Sequence, residues 1–173
     1  QSYYRNIEGV QMTSSNQVND IKTLDLTKEH LDLMRRLSGY RSAANPQTTA
    51  TTGSPIDYSN KPLHTFEEET DVYKFAVSIG IQNTSERMID NINPVGSSKV
   101  WDTQVVSDIS HIYTILTEQY PLAIGKEGIN RVLRKIAYQG FNKIEESIIY
   151  AENDSKKENL DQAELNFKTL LPA

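Results

Sequence analysis

The sequence predicts an all-α fold, a compact bundle of four to five helices with a short N-terminal strand. Three observations carry this. Apolar side chains recur at helical spacing over 66–79, 102–120 and 128–149. Gly39, Gly80 and Pro121 stand where such stripes end. Apolar and polar residues alternate at Leu24–Leu26, the pattern of one short strand. A chain of 173 residues suggests one domain. The expected organisation is a polar N-terminal tail at 1–20, a helical domain at 21–150 and an amphipathic C-terminal helix at 151–173.

Taken in order, Thr27 is placed to cap a helix over 28–38. Leu31, Met34 and Leu37 line its apolar face, Leu33 widens that face, and Gly39 is a natural stop. Residues 40–63 hold Pro46, Pro55, Pro62 and a Thr-rich run, and read as a long loop that links elements or wraps a partner. Thr65 and Glu68 have capping-box spacing. Acidic residues after them suit a helix N-terminus, where the macrodipole favours negative charge. Val72, Phe75, Ala76 and Ile79 then share a face, and Gly80 is expected to end the helix.

Residues 81–99 look irregular, with Pro94 and Gly96 as turn signals and Val100–Trp101 as a core anchor. From Val105 to Tyr120 the spacing predicts a helix of over four turns, stopped by Pro121. Ile129, Val132, Leu133, Ile136, Ala137, Gly140, Ile144 and Ile148 form another stripe. Gly140 sits inside it at a cost of roughly 1 kcal/mol relative to Ala. Either the helix breaks there or another element approaches closely. Leu160, Ala163, Phe167, Leu170 and Leu171 give the last segment its own stripe.

The chemical inventory is thin. Absence of cysteine excludes disulfides, thiolate catalysis and cysteine-ligated metals. A nucleophile elbow, a P-loop and a dinucleotide fingerprint are missing. Gly125 and Gly128 bracket Lys126, but the spacing is not that of a phosphate loop, and Gly128 reads as a helix start. His111 follows Asp108 by three residues, a spacing that suits a surface pair better than a metal site. No catalytic residue, cofactor or metal is expected. No apolar run reaches the ~18 residues of a membrane span, and a cytoplasmic location is expected.

Charge is distributed unevenly within a net of −5. Over 126–143, Lys126, Arg131, Arg134, Lys135 and Lys143 stand against Glu127 alone; over 144–164 acidic residues dominate. Arg131, Arg134, Lys135 and Tyr138 lie off the apolar stripe and are candidate contacts for a protein partner or for nucleic acid, with Tyr138 able to stack on a base. They could equally pair with the chain's own acidic segment. Arg35, Arg36 and Arg41 form a second basic group.

Three blocks, in order, resemble a family of small accessory proteins encoded beside bacterial DNA phosphorothioation (Dnd) systems. They are Thr27–Leu37 (TKEHLDLMRRL), Asp71–Ile81 (DVYKFAVSIGI) and Ile136–Phe141 (IAYQGF) with Ile144 and Glu145. Such proteins carry an Asp-Val-aromatic helix ending in an Ile/Leu-Gly step, and a late helix with an Ala-x-x-Gly element. The blocks lie between Thr27 and Glu145. The resemblance implies a helical accessory subunit in DNA modification or anti-phage defence, working through protein partners. It brings no catalytic residues. Two alternatives stand beside it: a structural subunit of a phage or mobile-element particle, and a DNA-binding regulator using the basic helix at 126–143.

Overall fold

A computed structural model describes residues 23–38, 63, 65–96, 98–155 and 160–170. The tail at 1–20, Arg41, His64, Leu171 and nearly all of the 40–63 segment lie outside these residues. The described elements are β1 (Thr23–Leu26), α1 (Lys28–Ser38), α2 (Glu69–Asn83), β2 (Ser98–Asp102), α3 (Ile109–Gln119), α4 (Pro121–Glu127), α5 (Ile129–Asp154) and α6 (Leu160–Leu170). Two 3-10 turns, Glu86–Asn91 and Thr103–Val105, precede and follow β2. The fold is predominantly helical, as predicted.

The strand at Leu24–Leu26 is present because both leucines point inward, each almost fully buried. Its partner was not legible. β2 takes residues 98–99 out of the expected loop and Asp102 out of the expected helix, and pairs Val100 and Trp101 between them into an antiparallel ladder with β1, Leu24 opposite Trp101. A register irregularity falls between Leu24 and Asp25. Trp101 packs edge-on against Tyr73 of α2, ring centroids 5.8 Å apart, so it does anchor the core, but from a strand.

α1 starts as predicted. The Thr27 hydroxyl accepts from the His30 backbone N–H at 3.3 Å, satisfying a donor that the first turn leaves open. Leu33, Met34 and Leu37 are buried, and Leu31 packs at the margin. Two expectations for α2 are corrected. The helix begins at Glu69, and Thr65 does not cap it; the Glu68 carbonyl accepts from the N–H groups of Asp71 and Val72 instead. Nor does Gly80 end it, since the helix continues through Asn83. The long helix expected over 102–120 is also shorter. Asp108 adopts a left-handed backbone (φ 65°) and α3 begins only at Ile109. Pro121 ends that run and opens α4 as its first residue, where its missing N–H costs nothing.

α5 is the axis of the molecule. It touches each of the other five described α-helices and β1. The predicted stripe is buried throughout, and Phe141, Lys135 and Ala151 are buried as well. A helix at the centre of a bundle needs more than one apolar face. The close approach foreseen at Gly140 is real. A methyl group there would lie 2.5 Å from the Ala76 carbonyl carbon and 3.0 Å from the Gly80 nitrogen. One at Gly80 would lie 2.9 Å from Ile136 Cγ2. Two glycines thus let α2 and α5 cross backbone to backbone. The Ile-Gly step and the Ala-x-x-Gly element noted in the sequence are the two sides of this crossing.

α6 packs on α5 through Ala163 and Phe167. No helix among the described residues is long and apolar enough to cross a membrane.

Candidate functional site

The segment 86–96, which carries the first 3-10 turn, is strapped to α4 and α5 by polar contacts. The Glu86 carboxylate accepts from the backbone N–H groups of Leu122 (2.7 Å) and Ala123 (3.2 Å), satisfying the open donors at the α4 N-terminus. Asp90 pairs with Lys126 at 3.2 Å. Lys135 donates to the Ile89 carbonyl at 3.1 Å and to Glu127 at 2.7 Å. Arg134 donates to the Gly96 carbonyl. Gly128, with φ 91°, is the α5 N-cap, the helix-start role expected of it.

These contacts decide what the basic residues of α5 are free to do. Lys135 is buried, its ammonium engaged within the protein. Arg134 is half-buried and tied to the segment facing it. Arg131 is exposed. Of the second group, Arg36 is buried and forms an ion pair with Glu152 of α5, Arg35 is half-buried, and Arg41 is outside the described residues. Arg36 thus pairs with the acidic segment, through Glu152, whereas Lys135 and Arg134 are held by Glu127 and by the carbonyls of Ile89 and Gly96. His111 and Asp108 are both exposed.

Tyr138 is half-buried, and its ring packs on His30 with centroids 5.0 Å apart. His30 was not singled out by spacing, yet it is a buried ionisable group beside the candidate residues. It is 2% exposed and stacks on Phe141 with centroids 5.2 Å apart. Its Nε2 lies 2.9 Å from Asn142 Oδ1, while Nδ1 has no partner. Neutral imidazole has one N–H, and that geometry assigns it to Nε2. Burial lowers its pKa to about 4, opposed by the hydrogen bond to Asn142. Further along the helix, Glu145 is shifted upward, by burial first and then by Glu29 and Glu146.

Between the 86–96 segment and α5 lies an open pocket of about 380 Å³, lined by Met88, Asn91, Ile92, Asn93, Tyr138 and Gln139. A smaller groove of about 260 Å³ runs between α2, α5 and the end of α6. Among the described residues no group of three or more His, Asp or Glu side chains is placed to hold a metal.

No protein-family model, curated protein or solved structure matches the chain.

Proposed function

We propose that the chain is a non-enzymatic accessory subunit that docks other proteins in a bacterial DNA-modification or anti-phage defence assembly. The observation that carries the docking role is the inward use of the basic side chains. Lys135 and Arg134 of α5 and Arg36 of α1 are engaged in internal contacts, so these helices offer little of the cationic stripe that tracking a phosphate backbone needs. That argues against the DNA-binding regulator. Large apolar side chains stand out on the last two helices instead: Ile149 and Tyr150 on α5, Leu165 and Leu170 on α6. Such exposure on adjacent elements suits a protein interface. The DNA-modification setting is supported by the family resemblance alone.

The test is co-expression with the products of neighbouring genes, followed by size-exclusion chromatography with light scattering. A stoichiometric complex, lost on Tyr150→Glu plus Leu165→Glu, is expected. A monomer that elutes alone from every such mixture overturns the reading. Symmetric self-assembly would point to a particle subunit.

A further inference from the structure

We infer that the pocket between the 86–96 segment and α5 binds an unpaired nucleobase, supplied by a free nucleotide or by single-stranded nucleic acid. The inference is independent of the docking role.

The pocket's volume of about 380 Å³ falls within the range of small-molecule sites, which runs from about 300 to 1,000 Å³. Its lining has an unusual composition. Three of its six described residues carry carboxamides, Asn91, Asn93 and Gln139. No hydrogen bond within the described residues satisfies any of the three side chains. The others are a tyrosine, a methionine and the buried Ile92. Among the described residues no carboxylate or ammonium lines it, and the nearby Asp90 is paired with Lys126.

A neutral lining of this kind selects a neutral, planar ligand with adjacent donors and acceptors. Each carboxamide presents one acceptor and two donors, the pattern that pairs two-pronged with a base edge. The aromatic group is held in place beforehand, because Tyr138 packs on the buried His30. A ring fixed in advance loses little freedom when a base stacks on it.

The surrounding charge fits one nucleotide better than a duplex. Arg131 stands seven residues before Tyr138 on the same helix, roughly 10 Å along the axis, and it is exposed. It can meet a phosphate attached to the bound base. With Lys135 buried and Arg134 tied to Gly96, a continuous row of phosphate contacts is lacking.

Binding is read by fluorescence anisotropy with a labelled single-stranded oligodeoxynucleotide, and by calorimetry with adenosine monophosphate. Duplex DNA serves as the comparison. Tyr138→Ala should weaken binding roughly 5- to 150-fold, the range seen when a stacking ring is removed, and Tyr138→Phe should retain it. Tyr138→Ala also disturbs the packing of His30, so the pair Asn91→Ala plus Asn93→Ala provides a separate test. Both asparagines are exposed, and their loss should weaken binding at least tenfold with an unchanged melting curve. Binding of the monophosphate identifies a nucleotide site; binding of the oligonucleotide alone identifies a single-strand site. Failure of wild-type protein to bind either probe, or equal binding by the Asn91/Asn93 double variant, overturns the inference.

Discussion

Gly140→Ala is the sharpest test of how this bundle is held together, because two physical effects predict opposite signs. In an ordinary helix interior, alanine is favoured over glycine by about 1 kcal/mol. At Gly140 the added methyl would sit 2.5 Å from the carbonyl carbon of Ala76 and 3.0 Å from the nitrogen of Gly80, whereas ordinary contact is 3.4–4 Å. Both obstacles are backbone atoms, so no rotamer change relieves them. α2 and α5 must separate by about an ångström, loosening the contacts of Val72, Tyr73, Ala76, Val77, Ile136 and Ala137, all buried. Overpacking of a tight core typically costs about 1–3 kcal/mol. Set against the gain from alanine, a net loss of about 1 kcal/mol is therefore expected, seen as a lower urea midpoint and a melting point reduced by roughly 2–4 °C. Trp101, the only tryptophan in the chain, touches Tyr73 of α2 and reports the transition by fluorescence. Gly125→Ala is the control, since nothing lies within 4 Å of a methyl at that position in α4; it should be neutral or slightly stabilising. If Gly140→Ala were neutral or stabilising as well, the close helix crossing would be refuted.

Three further outcomes follow from the contacts described. His30 has its pKa lowered from 6.5 to about 4, so between these values the unfolded chain binds more protons than the native one. Its contribution is therefore full above pH 6.5 and declines as pH falls toward 4, by up to about 3 kcal/mol; His30→Phe should flatten this part of a stability–pH profile, and an identical slope would argue against it. Glu152→Ala removes one partner of a guanidinium that is 1% exposed, and a loss of up to about 3 kcal/mol is expected in denaturant titration. Arg36→Met plus Glu152→Leu should lose less than that single change, and a larger loss would show that the pair itself is strongly stabilising. Glu86→Ala opens two N–H groups at the start of α4 and should cost about 1 kcal/mol, with amide exchange at Leu122 and Ala123 accelerated; unchanged exchange would mean that the cap is not formed in solution.

Much of the helical framework was legible because burial leaves a period. Val72, Ala76 and Ile79, and the eight-residue stripe of α5, mark faces that had to turn inward whatever covered them. Thr27 as a cap and Gly128 as a helix start were equally local, since each satisfies or shapes the turn beside it. The basic residues were visible as a cluster, but whether they faced solvent depended on a segment some forty residues away. Ile89 and Gly96 supply the carbonyls that engage Lys135 and Arg134. The same holds for the pocket, whose two walls come from separate elements.

What the sequence determined by itself was the set of apolar faces and most turn chemistry, because these depend on neighbours within a few residues. Only the tertiary structure decided the meaning of Gly80 and Gly140. By propensity a glycine in a helix is a weakness and a plausible end point. Here each makes room for the backbone of the opposite helix, and that requirement exists only once the two helices meet. Tertiary structure also drew Val100 and Trp101 into a strand, where β2 pairs with the backbone groups that β1 presents.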